Sequence, residues 1–433
     1  MNRTRCALAC ALAFATAGAF AQASAPNTAV VADTLIQLYG HLDLSLDDLT
    51  KGIAGKTQSG NTATGRLGYQ PDISSNLSYI GLRGGRDVGG GLRAVFQVET
   101  QIDVAATPGA STVPDNTIKG AFASRNSFLG IASGWGALKL GKTDAPYKLS
   151  TARMDPFSAS IGDYNSIMGN TGGDNRAEFD TRFSHAVWYE SPNMSGFHVD
   201  ALFAPGQNRS SDNINTASGE PNCTGGNQPP CNDGSFDNAY SIAGRYEAGP
   251  LYAIAAYERH ANVNRTGDED GVLTPVGAVG IANEQAYKAG VQYRFGGTTL
   301  NAIVERMTRS APNNDFNERQ RNGWWLAATQ KIGSSDDINV GWAHAGKTPG
   351  APGPNMGGPQ DNASNMLAVG FKHHFDRQFN AYAVYALQKN HPDAHYDLGA
   401  SGHGITTDCK DATGQCFTGG KVAGISIGMQ YNF

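Results

Sequence analysis

Sixteen segments of this chain alternate apolar and polar side chains, and the links between them alternate strictly between short and long. The last segment shows the period best: Ile425, Ile427, Met429, Tyr431 and Phe433 interleave with Ser426, Gly428, Gln430 and Asn432. Successive side chains of a strand point to opposite faces, so such a segment presents one apolar and one polar face. The same reading holds for Leu38, Leu42, Leu44 and Leu46, for Leu92, Ala94, Phe96 and Val98, and for Phe379, Ala381, Ala383, Tyr385 and Leu387. It places strands at 34–48, 76–87, 91–103, 122–132, 136–142, 181–190, 196–204, 237–247, 250–261, 284–295, 298–308, 321–332, 336–346, 363–375, 378–389 and 421–433.

The short links carry turn residues, among them Asp87 to Gly90, Ala248-Gly249, Gly296-Gly297 and Asp376-Arg377. The long ones, at 49–75, 104–121, 143–180, 205–236, 262–283, 309–320, 347–362 and 390–420, are polar and rich in Gly, Asn and Asp. A soluble sandwich has no reason to keep every long loop at one end. A transmembrane barrel does, with an even strand number, short periplasmic turns, long outer loops and an apolar-out, polar-in alternation. Closure pairs every backbone donor and acceptor, which the hydrocarbon region demands. The expected fold is therefore all-β: one sixteen-stranded antiparallel transmembrane barrel, wide enough to hold water.

The barrel also explains a composition that otherwise suggests a soluble protein. No segment past the N-terminus offers the ~20 consecutive apolar residues of a membrane helix, and the mean hydropathy is −0.36. Only half the residues of each strand face lipid. The first residues, with Arg3 and Arg5, an apolar run from Cys6 to Phe20 and the small-x-small exit Ala19-Phe20-Ala21, describe a secretory signal peptide. The division expected is a signal at 1–21 and a barrel domain at 22–433. Losing Arg3 and Arg5 takes the net charge from −5 to −7, which argues against a nucleic-acid partner.

Four of the six cysteines lie outside the signal, in two close pairs, Cys223 with Cys231 and Cys409 with Cys416. Export to an oxidising compartment makes them candidates for local disulfides. No Cys-x-x-Cys or nearby His spacing supports zinc, and His391, Asp393 and His395 lack a fourth ligand, so no metal or other cofactor is expected. No P-loop, dinucleotide fingerprint or Ser/His/Asp motif appears, and no enzymatic activity is expected. A barrel enzyme with scattered catalytic residues, or an adhesin acting through loops 205–236 and 390–420, stays as an alternative.

Several stretches resemble the trimeric general porins of β-proteobacterial outer membranes. They are Leu38-Tyr39-Gly40 with Asp43, the hairpin from Leu77 to Gln97, Ser124 to Gly130 with Leu138 to Lys142, Arg182 to Gly196, and the closing Gly428 to Phe433. The resemblance implies a homotrimer in the outer membrane of a Gram-negative bacterium, in contact with its lipid and lipopolysaccharide. It implies a third outer loop folded into the lumen, and passive diffusion of small hydrophilic solutes. It also implies that the final aromatics, Tyr431 and Phe433, are read by the outer-membrane assembly machinery.

A water-filled channel sorts solutes by width and by fixed charge, because its low-dielectric wall focuses the field across the narrow part. Parity sets Arg83, Arg93, Lys139 and Arg182 on polar strand faces. An arginine facing lipid at mid-depth would cost ~2–4 kcal/mol. By resemblance Arg125 and Arg182 match the family's basic cluster. The link at 143–180 lies where the inward loop does, and Asp155, Asp163 and Asp174 are the acids expected to oppose that cluster. Tyr79 and Trp188 stand where the family often has arginine, which leaves room for a solute-specific channel with an aromatic track.

Overall fold

The structure is a computed structural model. It describes residues 27–31, 34–50, 52–53, 56–57, 66–67, 70–105, 122–168, 179–205, 236, 238–264, 281–309, 320–347, 361–392, 394, 396–398 and 417–433. The proposed signal, Asp174, Asp393, His395 and the cysteines Cys223, Cys231, Cys409 and Cys416 lie outside these residues.

Sixteen strands close into an antiparallel barrel. They are β1 (Thr34–Thr50), β2 (Tyr79–Gly89), β3 (Leu92–Gln101), β4 (Ser127–Ser133), β5 (Gly136–Asp144), β6 (Arg182–Glu190), β7 (Phe197–Pro205) and β8 (Asn238–Ala248). The second half is β9 (Leu251–Asn264), β10 (Ile281–Phe295), β11 (Thr298–Arg309), β12 (Arg321–Ile332), β13 (Asp336–Ala345), β14 (Ser364–His374), β15 (Phe379–Asn390) and β16 (Gly420–Asn432). Each expected segment finds its strand, because burial on one face only specifies register strongly.

Each strand pairs with its sequence neighbours, and β16 returns to β1 through His41↔Asn432 to Thr50↔Ala423. The C-terminal residue finishes that seam. The Gly40 amide donates to the Phe433 carbonyl at 3.0 Å, and the Phe433 amide donates to the Gly40 carbonyl at 3.2 Å. The Phe433 ring lies where a β-carbon on Gly40 would be, so the closure needs glycine there. The periplasmic turns are tight: Phe295 pairs with Thr298 across Gly296-Gly297. Gly296 takes φ 54°, the left-handed conformation such turns require.

The outward face is apolar, with Leu129, Leu140, Val304, Ile427 and Met429 each more than half exposed. Rings gather at both ends of the wall. Tyr240, Tyr287, Trp342 and Tyr385 lie toward the outer end, and Phe197, Tyr293, Phe295 and Phe375 toward the periplasmic end. Such girdles mark the two membrane interfaces.

The link between β5 and β6 folds into the barrel, starting with the one-turn helix α1 (Pro146–Thr151). Pro146 opens the turn with its φ already set. Residues 152–168 then rest on the far wall. Met154, Phe157, Ile161, Tyr164, Ile167 and Met168 are buried in one cluster with Trp325, Met366, Ala368, Tyr382 and Val384. Trp325 is the centre of that contact: Phe157 and Tyr164 pack on its ring at centroid distances of 6.2 and 5.6 Å, and its N–H donates to the Met154 carbonyl at 3.3 Å. Behind Trp325, Gly341 leaves the space into which the indole fits.

Gly341→Val is therefore expected to displace Trp325 and cost about 1–3 kcal/mol by overpacking. Heat dissociation of the folded protein should fall, and single-channel conductance should become larger and noisier as the loop loses its seat. Unchanged conductance would mean that Trp325 does not set the loop's position.

Candidate functional site

With the loop resting on β9–β15, the open part of the lumen runs along β1–β6. The residues there are built up from small decisions of the backbone. Gly81 has no β-carbon, and one placed there would come within 2.5 Å of the Tyr39 ring. Tyr39 therefore lies flat against β2, and Arg83 rests on it with its guanidinium 4.8 Å from the ring centroid. The Arg83 Nε donates to Gln37 Oε1 at 2.8 Å. The Tyr39 hydroxyl donates to Glu99 at 3.0 Å. Glu99 in turn accepts from Arg125 Nε at 2.5 Å, and the Arg125 guanidinium covers the Tyr79 ring at 4.7 Å.

Asn126 joins this group to the next. Its amide nitrogen donates to Asp144 at 3.0 Å, and its oxygen accepts from Arg182 Nε at 2.7 Å. Asp144 pairs with Arg182 at 3.1 Å and with Lys148, on the first turn of α1, at 2.9 Å. Parity alone does not place Arg182 as expected. His185 takes φ 53° and the β5–β6 register slips between Gly141 and Thr143, so the alternation set by Trp188 and Ala186 is broken before Arg182. On β6 it is Phe183 that is buried with Ala186 and Trp188. What gathers Arg182 with Arg125 is their shared neighbour Asp144, the carboxylate both arginines attract.

Lower on the wall, Lys139 pairs with Glu190 at 2.7 Å and lies over Phe128 at 4.6 Å. Trp188 packs edge-on against Phe128 at 5.5 Å and donates its N–H to the other Glu190 oxygen at 3.0 Å. Tyr79 and Trp188 are thus engaged, one under a guanidinium and one on a carboxylate. Arg93 crosses the flat surface of Gly85, where a β-carbon would stand 2.7 Å from its Nε. Linked in this stretch of wall, from the loop downward, are five cations (Arg83, Arg125, Lys139, Lys148 and Arg182) and three carboxylates, Glu99, Asp144 and Glu190. Asp43 and Asp47 of β1 also face inward and are buried, Asp43 accepting from Tyr382 and Gln430 and Asp47 from Ser74. Glu99, Glu190 and Lys148 were not singled out from the sequence; polar parity marks both glutamates but gives no reason to choose them.

The loop acids sit elsewhere. Asp155 accepts from the Phe157 amide at 2.9 Å, and Asp163 from the amides of Ala159 and Asn165 at 3.0 and 2.9 Å. Both are buried, and both fold the loop upon itself. A further buried cluster fastens the loop from behind. Lys288 of β10 pairs with Asp180 of the returning leg, lies 3.5 Å from Glu305 of β11 and 4.0 Å from the Tyr147 ring centroid. Tyr147, on the entering leg, donates its hydroxyl to Glu305 at 2.6 Å.

Burial, and then the neighbouring Asp163, push the Asp155 carboxyl well above the usual carboxylate range. A carboxyl that keeps its proton more strongly when folded contributes stability in acid, and that stability is lost as pH rises through the folded pKa. Asp155→Asn keeps an oxygen for the Phe157 amide and removes the titration. The variant is expected to dissociate at a higher temperature than wild type at pH 8 and at a similar one at pH 4. Equal loss at both pH values would show that Asp155 serves as a charge.

The sequence from residue 7 to 393 matches the family model described as Gram-negative porin. The chain is 23% identical over 384 residues to an outer membrane porin protein of Bordetella pertussis, covering 84% of this chain and 91% of that one. It is 27% identical over 352 residues to the major outer membrane protein P.IA of Neisseria meningitidis serogroup C, covering 74% and 81%. Its fold is similar to that of the anion-selective porin from Comamonas acidovorans, with a TM-score of 0.63 at 17% identity over 92% of this chain and all of that one. A closed barrel with a loop drawn into a charged lumen, together with a family match over most of its length, makes this chain a member of the Gram-negative porin family, spanning the outer membrane as a diffusion channel.

Proposed function

We propose that this porin passes small hydrophilic solutes with a preference for anions, and that Arg83, Arg125, Lys139 and Arg182, joined by Lys148, form the basic wall of its constriction. The observation that carries the reading is the charge balance beside the loop. Five cations stand with three carboxylates in the linked stretch of wall. Asp43 and Asp47 are buried in hydrogen bonds with Tyr382, Gln430 and Ser74, and Asp155 and Asp163 are spent on their own loop's amides. The acidic side expected from Asp155 and Asp163 is therefore assigned a smaller part, and Arg93 a part nearer the periplasmic mouth. Rings under Arg83, Arg125 and Lys139 hold each charge in place, and Arg83 stays exposed. With Tyr79 and Trp188 engaged, passage is by charge and width, with no aromatic track and no bond chemistry.

The same reading includes removal of residues 1–21 on export and assembly as a homotrimer, as the resemblance implies. Tyr431 and Phe433 would serve as the signal to the outer-membrane assembly machinery, and lipid and lipopolysaccharide would surround the outward face. The seam geometry supports the terminal role, since Phe433 completes the last backbone pairing.

Reversal potential in a salt gradient tests the proposal. Wild type should favour anions, less strongly as salt rises and screening shortens. One unit charge ~8 Å from the pore axis is worth ~0.5 kcal/mol in water, so Arg83→Gln should lower the anion-to-cation permeability ratio about two-fold. Arg182→Ala should move it the same way. A wild-type channel without anion preference, or a potential indifferent to both changes, would remove this wall from the constriction.

A further inference from the structure

One cation of the lumen stands apart from the linked wall. Lys372 lies near the periplasmic end of β14, and the lowest stretch of the inward loop, residues 156–160, passes over it. Between that stretch and the wall of β13–β16 is a half-open cavity of about 280 Å³, counted out to the open lumen. Gly370 shapes one side: a β-carbon there would stand 2.9 Å from the Phe157 ring, so glycine lets the ring lie on β14. The loop is fixed above by its own bonds. Asp155 accepts from the Phe157 amide at 2.9 Å, the Ser160 hydroxyl donates to the Phe157 carbonyl at 2.6 Å, and Asp163 accepts from the Ala159 amide at 3.0 Å. The cavity is therefore preformed.

Its polar side consists of donors. Lys372 donates to Gln430 Oε1 at 3.1 Å, and among the described residues it meets no carboxylate and no ring face. The acids close enough to act on its charge are committed elsewhere. Asp43, behind Gln430, accepts from Gln430 Nε2 and from the Tyr382 hydroxyl, each at 2.8 Å. Asp337 pairs with His374 at 2.8 Å, and Asp155 serves its own loop. Asn339 is only 5% exposed, and its side-chain oxygen accepts from the Thr329 hydroxyl at 2.7 Å. Neither its amide N–H groups nor the Ser158 hydroxyl has a hydrogen bond among the described residues, and both residues line the cavity. A buried N–H without an acceptor is costly. No carboxylate is among the lining residues, and Phe157, Tyr382 and Val384 make the remaining side apolar.

An ammonium, an amide and a hydroxyl beside an apolar surface suit an acceptor head joined to an apolar body. A bare inorganic anion would leave the apolar side in water, and a neutral solute would leave the ammonium without a counter-charge. Coulomb attraction falls with distance, so a carboxylate in contact with Lys372 gains more there than it loses to Asp43 behind Gln430. We infer that this cavity binds a small organic carboxylate with an apolar body, its oxygens on Lys372 and Asn339 and its body on Phe157, Tyr382 and Val384. Such a solute meets the site at the periplasmic end of its path. The site goes beyond the selectivity of the constriction wall and does not rest on it.

The test uses the folded protein in detergent, titrated with para-fluorobenzoate and with its neutral counterpart para-fluorobenzamide. Binding is read from the fluorine NMR line width. Wild type should bind the acid about ten-fold more tightly than the amide, the size of one charge-assisted contact. Lys372→Gln should abolish that preference, and Ser158→Phe, which fills the cavity, should weaken binding of both probes. Arg83→Gln should keep the preference for the acid. Conducting steps in planar bilayers report that each variant is folded. Equal binding of acid and amide by wild type would overturn the proposal. So would full preference in a conducting Lys372→Gln variant, or loss of preference in Arg83→Gln, which would put the carboxylate on the constriction wall. Should Lys372→Gln not fold, Ser158→Phe decides, and undiminished binding there would overturn the proposal. A wild type that binds the acid but shows no anion preference in reversal potential would count against the wall reading alone.

Discussion

Within hydrocarbon, an unpaired peptide N–H or C=O costs several kcal/mol, and no water is present to relieve it. Everything else in this porin follows from meeting that constraint with strands. A sheet in lipid must close, and here the closing contact is β16 on β1, ended by the reciprocal bonds between Gly40 and Phe433. Closure fixes which side chains face out. It therefore confines apolar residues to one parity and frees the other for charge. It also confines irregular backbone to the rims, so length can vary only in the links. The link between β5 and β6 leaves the rim and goes inward, where its backbone meets side chains of the opposite wall: Ser150, Arg153, Met154 and Met168 each offer a carbonyl to a wall donor.

Putting a loop inside a charged tube raises a second problem, since its legs pass close to the polar faces of β10 and β11. Lys288, Asp180, Glu305 and Tyr147 answer it together, tying both legs to one buried ammonium. Buried ion pairs contribute little net stability compared with apolar packing, but removing one partner leaves an uncompensated charge and is costly. That asymmetry fits a positioning role: the cluster holds the loop in one place, while Trp325 and its apolar neighbours supply most of the adhesion. The loop's acids are then free to organise its own turns.

The barrel was legible in the sequence because its signals are local. Alternation is a property of nearest neighbours, and the order of links is a property of chain length, so strands 34–50 through 420–432 lie close to where periodicity puts them. The wall was legible only where parity runs unbroken. Arg83, Arg93 and Lys139 follow from their strands, whereas one extra residue in β6 reverses the relation between Trp188 and Arg182 and no composition signal marks it. The loop acids were ambiguous for a related reason. Aspartate in a long link is equally suited to charge the pore and to cap its own amides, and only the fold shows that Asp155 and Asp163 cap. The clamp on Lys288 was invisible, because its partners come from 108 residues away at Asp180 and 17 away at Glu305.

The two faces of the wall use cations by opposite rules, and the surrounding medium decides which rule applies. Inside, each charge of the linked wall meets a ring or an opposite charge. The Arg83 guanidinium, exposed and held over Tyr39, gives up little entropy when a solute passes and binds none tightly enough to hold it. Outside, Arg259 and Arg306 meet no water-filled space and no carboxylate among the described residues. At mid-depth each would cost ~2–4 kcal/mol, but the cost falls to ~0–1 kcal/mol at the interface, where they stand among tyrosines. Weak, shared charges suit a path that solutes must leave.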